Sequence, residues 1–75
     1  MSERPAKHSL TLRGHRTSVS LEPEFWEAFR KLAAARKRSL NEIAADIDAA
    51  RGDVSLASAI RVHLLRALQT RSPDR

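Results

Sequence analysis

An arginine and two serines alternate with β-branched or apolar residues in the run Arg16-Thr17-Ser18-Val19-Ser20-Leu21. At the two-residue period of a strand, Arg16, Ser18 and Ser20 share one face and Thr17, Val19 and Leu21 the other. The first face suits the edges of nucleobases. A guanidinium matches guanine O6 and N7 bidentately, serine hydroxyls donate or accept, and a two-stranded antiparallel ribbon is narrow enough for the major groove. Serines on a strand's outer face also serve as plain soluble β-formers. What favours the nucleic-acid reading is a second feature, Arg36-Lys37-Arg38 standing directly before Ser39, because three cations beside a helix N-terminus form a phosphate site.

Other chemistry finds little to work with. His8, His15 and His63 are the only imidazoles, no two of them stand four residues apart as ligands on one helix face do, and the chain has no cysteine. Glu42, Asp46, Asp48 and Asp53 are dispersed among basic residues on helix surfaces, and no glycine-rich phosphate loop occurs. We therefore expect no enzyme, no catalytic residue, no cofactor and no bound metal.

Charge points the same way as the strand face. The 75 residues carry 14 Lys and Arg against nine Asp and Glu. Residues 1–38 hold nine basic and four acidic groups and residues 39–75 hold five of each, so the surplus lies wholly in the first half. That is the asymmetry of a polyanion-binding face attached to a neutral body. One small domain is expected, with a thin core of one Trp and two Phe, and cores of this size gain from association. No apolar run approaches the roughly 20 residues that span a bilayer, no signal-peptide core follows the N-terminus, and the lack of cysteine suits a reducing cytoplasm.

These residues must be positioned by four segments. Residues 8–21 alternate throughout and read as a strand or hairpin interrupted at Gly14. A type II′ turn at Gly14-His15 would set Arg13 opposite Arg16, Leu12 opposite Thr17 and Leu10 opposite Val19. The alternative is a loose arm over 8–13 with a strand only from Arg16. Either way, His8, Leu10, Leu12, Thr17, Val19 and Leu21 share a face. Glu22-Pro23-Glu24 then opens a helix over about 23–36 with Phe25, Trp26, Phe29, Leu32 and Ala33 at helical spacing. Ser39-Leu40-Asn41-Glu42 fits a capping box and starts a helix over 39–51, with a stripe of Leu40, Ile43, Ala44 and Ile47. Gly52 ends it, and Asp53 or Ser55 caps a third helix over 55–69. Leu56, Ile60, Leu64, Ala67 and Leu68 form its main stripe, but Val62 and Leu65 lie off it, so one chain can hardly cover both sides. Residues 1–7 and 70–75 read as flexible tails.

The stretch from Thr17 to Leu32, followed by a short loop to Ser39, resembles the ribbon-helix-helix class of methionine-repressor-like and Arc-like regulators. The span Gly14 to Leu68, opening Gly-His-Arg-Thr-Ser-Val-Ser-Leu-Glu, is most similar to a bacterial subgroup of small ribbon-helix-helix domain proteins. The resemblance implies a mainly α fold with a short β-ribbon, in which the strands of two subunits pair and enter the major groove as an intertwined homodimer. It further implies that Arg16, Ser18 and Ser20 face outward, that Val19 and Leu21 enter the core, and that Ser39 with the amides of Leu40 and Asn41 clamps the phosphate backbone. Two departures stand out. Lys37 occupies the interhelix position where the family usually has glycine, so either a left-handed turn strains a β-carbon or the loop takes another shape. And the family's minimal domain has two helices, whereas here a third follows.

The expected function is that of a dimeric, sequence-specific duplex-DNA-binding transcriptional regulator in the bacterial cytoplasm. Arg16, Ser18 and Ser20 would read bases; Arg36, Lys37, Arg38, Ser39, Leu40 and Asn41 would hold phosphates. The alternative keeps the dimeric fold as a protein-interaction module, antitoxin-like or adaptor-like, with the third helix around Val62 and Leu65 docking a partner. If residues 8–13 pair back onto the strand, a strand-paired dimer has a four-stranded sheet too wide for the groove, and the alternative is strengthened.

Overall fold

A computed structural model of the chain describes residues 4–71. Two strands, β1 (Ala6–Leu12) and β2 (His15–Leu21), pair antiparallel as a hairpin, and three helices follow: α1 (Pro23–Arg36), α2 (Leu40–Ala50) and α3 (Leu56–Arg71). This is a ribbon-helix-helix arrangement with an extra C-terminal helix, and the arm alternative for residues 8–13 is excluded. Ala6 and Lys7, read as tail from the sequence, belong to β1, and α3 runs on to Arg71. The remaining tail positions, 1–3 and 72–75, lie outside the described residues.

The turn differs from the expected one. His8 faces Val19, Leu10 faces Thr17 and Leu12 faces His15, so the two turn residues are Arg13 and Gly14 and not Gly14 and His15. Arg13 has φ 53° and Gly14 φ 84°. Two positive φ values are the signature of the type I′ turn, whose twist matches that of the flanking strands. The shift also separates Arg13 from Arg16, which would otherwise stand as like charges across the ladder. Because the register moves by two residues, each side chain keeps its expected face. Leu10, Leu12, Val19 and Leu21 are buried, while every second residue between them is exposed.

That buried face closes on the helices. α2 packs against β1, and α1 and α3 against β2. Phe29, Leu21, Ile43 and Ile60, one from β2 and one from each helix, are the largest fully buried side chains. Trp26 is only half-buried and is not the enclosed anchor its place in the α1 stripe suggests. It lies flat on His8, ring centroids 3.8 Å apart, and meets Phe29 edge-on at 6.1 Å, joining the inner side of the ribbon to α1. On α3, Ile60 and Leu64 are buried, but Leu68 is 69% exposed although its spacing puts it on the main stripe.

The interhelix loop takes the left-handed course. Lys37 has φ 56° and ψ 40°. Its N–H donates to the Ala34 carbonyl at 3.1 Å, and the Arg38 N–H donates to that of Ala33 at 3.1 Å, the two bonds of a Schellman motif. A lysine thus does what glycine does without steric cost. Replacing Lys37 by Gly is expected to stabilise the fold by about 1 kcal/mol, seen as a higher urea midpoint at unchanged m-value.

Candidate nucleic-acid interface

The outer face of the hairpin is a two-by-three array. Lys7 stands opposite Ser20, Ser9 opposite Ser18, and Thr11 opposite Arg16, all six exposed. The array contains hydroxyls and cations and no carboxylate. Arg16, Ser18 and Ser20 thus lie together on one face as the alternation required, and β1 adds Ser9 and Thr11, which the alternation put on that face without a base-reading role, and Lys7. Ser9 and Thr11 share the parity of Arg16, which is the signal that reveals them. Lys7 was hidden by its place in an apparent tail.

One hydrogen bond fixes the direction of the backbone groups. The Thr11 N–H donates to Asn41 Oδ1 at 3.1 Å, so it points out of the ladder and Thr11–Arg16 is a non-hydrogen-bonded pair. Antiparallel pairs alternate, so Ser9–Ser18 and Lys7–Ser20 are of the same kind, and the N–H and C=O groups of Arg16, Ser18 and Ser20 point outward from the edge of β2. On the opposite edge, Asn41 brings the first turn of α2 against β1.

That first turn is capped as its sequence demands. Ser39 Oγ accepts the Glu42 N–H at 3.0 Å, and the Ser39 N–H donates to Glu42 Oε1 at 3.0 Å. The Ile43 N–H reaches the Ser39 carbonyl, which leaves the N–H groups of Leu40 and Asn41 as the helix-start donors facing outward. Those are the two amides expected to hold a phosphate. The Ser39 N–H is instead engaged by Glu42.

The three loop cations do not act as one group. Arg36 turns to α3, its Nη1 3.4 Å from His63 Nε2. Arg38 Nη1 donates to Asp46 Oδ2 at 2.8 Å, and its Nε lies 4.0 Å from Glu42. Arg13, at the hairpin tip, approaches the other oxygen of Asp46 at 4.0 Å. Asp46 therefore sits between the ribbon turn and the interhelix loop. All three partners are largely exposed, so these pairs orient the side chains more than they stabilise the fold. Lys37 is the exposed loop cation whose ammonium has no ion pair among the described residues.

Two charged groups outside the ribbon are perturbed. Arg61 donates to Glu22 Oε1 through Nε at 3.1 Å and Nη2 at 2.9 Å, and this bonding holds the Glu22 carboxyl below its ordinary range, with Glu22's own backbone acting the same way. Burial pushes His63 below its usual value, and the neighbouring Arg36 and Arg66 push in the same direction. Neutral His63 can then accept from the Arg36 guanidinium.

Residues 5–68 match the family model described as a ribbon-helix-helix domain. No curated protein and no solved structure matches the chain.

The depressed His63 value gives a pH dependence whose sign is fixed. The unfolded chain takes up a proton near the ordinary value of about 6.5, whereas the folded chain resists it, so the histidine's contribution favours folding least on the acid side. Stability should fall as pH drops below that value. Urea midpoints measured on either side of it should separate in the wild type and draw closer together in His63→Gln.

Proposed function

The chain belongs to the ribbon-helix-helix domain family, whose members are typically dimeric DNA-binding regulators and not enzymes, and we propose that it binds duplex DNA as a transcriptional regulator through the outer face of its hairpin. The observation that carries this reading is the six-residue array itself: hydroxyls flanked at diagonal corners by Lys7 and Arg16, free of carboxylates, beside a helix start. Arg16, Ser18 and Ser20 read base edges, with Ser9 and Thr11 beside them. The amides of Leu40 and Asn41 and the ammonium of Lys37 hold a backbone phosphate, with the Ser39 hydroxyl beside them. Arg38 supports the loop through Asp46, and Arg36 belongs to the α1–α3 contact and not to the clamp. With DNA as ligand, the protein's place is the bacterial cytoplasm, where the chromosome lies.

Ribbon width is the test of consistency. Strands lie about 4.8 Å apart, so a hairpin is one spacing wide and enters a major groove of about 12 Å. A dimer joined edge to edge through β2 has three spacings, about 14 Å before side chains are counted, and does not. The DNA reading therefore requires that β2 stay unpaired, so that one chain supplies both strands of its own ribbon. A second reading, a protein-interaction module of the same fold, is favoured by two observations, the pairing of β1 back onto β2, which makes any strand-paired dimer four strands wide, and the exposure of Val62, Leu65 and Leu68 on α3.

Salt titration of duplex binding separates the roles. Arg16→Ala should relax preference at one base position by about 1–3 kcal/mol and change non-specific affinity less. Lys37→Gly, although more stable, should bind every sequence more weakly and lower the salt slope by about 0.9 for each phosphate it no longer neutralises. Absence of any duplex binding by the folded wild type at low salt would remove the DNA reading and leave the protein-interaction one.

A further inference from the structure

Asp46 stands on α2 between the hairpin tip and the interhelix loop, and each of its carboxylate oxygens faces a different arginine. Oδ2 accepts from Arg38 Nη1 at 2.8 Å, and Oδ1 lies 4.0 Å from Arg13 Nη2. Two guanidiniums brought together on one oxyanion are a phosphate-binding donor set; here the oxyanion is the chain's own. Arg13 belongs to the turn that closes the ribbon, and Arg38 adjoins Lys37 and the start of α2. The pair therefore reaches from the ribbon to the helix start, along the border of the proposed interface. The neighbouring Glu42 is committed to the Ser39 N–H and stands 4.0 Å from Arg38 Nε. Arg13, Arg38 and Asp46 have side chains 66%, 42% and 54% exposed, and ion pairs so open to water contribute little to folding. Stability does not account for the convergence.

We propose that Arg13 and Arg38 form a second phosphate site, separate from the amides at the α2 start, and that Asp46 keeps it closed and so restrains binding to DNA of any sequence. This inference rests on the DNA reading of the ribbon and concerns how that binding is regulated. A backbone phosphate carries one negative charge, as the Asp46 carboxylate does. Its entry between the guanidiniums exchanges one anion for another and leaves Asp46 unpaired beside the newcomer. In the wild type the two arginines consequently stay on Asp46 and add nothing to backbone affinity. Phosphate contacts carry no sequence information, whereas Arg16, Ser18 and Ser20 face outward toward base edges. With two cations withheld from the backbone, base contacts make up a larger share of the binding. Asp46 touches none of the base-reading residues, so its restraint falls on the sequence-independent part alone.

The test titrates a random-sequence duplex with the full chain over a range of salt. Asp46→Asn keeps the shape of the side chain and removes its charge. It should bind about 10-fold tighter at low salt and steepen the salt slope by about 0.9 for each arginine that gains a phosphate. Asp53→Asn removes the same charge from an exposed residue that pairs with neither arginine, and should change affinity by less than about 2-fold. Arg13→Asn suits the turn, since asparagine before glycine is a preferred type I′ pair. It should leave wild-type binding unchanged yet take away about one contact's worth of the added slope in Asp46→Asn, a non-additivity that bulk charge does not produce. Asp46→Ala, a better helix former, should repeat the gain if the asparagine variant fails to fold by circular dichroism. Duplex binding by neither the wild type nor Asp46→Asn overturns the DNA reading and this inference with it. With the wild type binding, three results overturn the inference alone: a gain in Asp46→Asn no larger than in Asp53→Asn, a gain that survives Arg13→Asn undiminished, or equal weakening by Arg13→Asn in both backgrounds.

Discussion

The rest of the molecule depends on the reversal of the chain at Arg13 and Gly14. By turning there with two positive φ values, the first strand lies against the second, and four leucine and valine side chains gather on one side of a hairpin. That side is the floor on which all three helices rest. Its other side is polar for the same reason, since period-two alternation cannot bury one face without exposing the other. The core and the candidate interface are thus two sides of one constraint. A change of register by one residue would exchange them.

Electrostatics then separates regions that look alike in composition. Arg13 and Arg38, twenty-five positions apart in the chain, converge on Asp46, and Arg36 is drawn off to His63. Lys37 is left facing outward at a backbone conformation that costs a lysine energy. The lysine ammonium thus stands beside the α2 start at the expense of backbone strain. Glycine would satisfy the turn, but it would contribute no charge.

What was legible in the sequence was what local spacing determines. Alternation over 8–21 sets the faces of both strands, and Ser39 with Glu42 three residues on sets the start of α2. The turn was less legible, because Gly14 serves as the second residue of a type I′ turn or the first of a type II′ turn, and a two-residue slip leaves every face unchanged. The fate of the loop arginines was not legible at all. His63 lies 27 residues from Arg36 and Asp46 lies eight from Arg38, and only the packing of α2 and α3 brings them near. Lys7 was obscured by composition, since a polar run containing a proline resembles a tail until its partner strand is placed.

The bond from Thr11 to the side chain of Asn41 joins the ribbon to the first turn of α2 at the point where each faces outward. Asp46 makes a second tie a turn further along. Tied by the Thr11–Asn41 bond, the strand and the helix start act as the two jaws of a calliper, with the hydroxyls and guanidinium on one jaw and the amides of Leu40 and Asn41 on the other. A ligand engaging both must match the offset between them. On the proposed reading, with duplex DNA as that ligand, the offset is the distance from groove floor to phosphate wall, which varies with base sequence, and a fixed offset would favour some sequences over others at positions the protein does not touch.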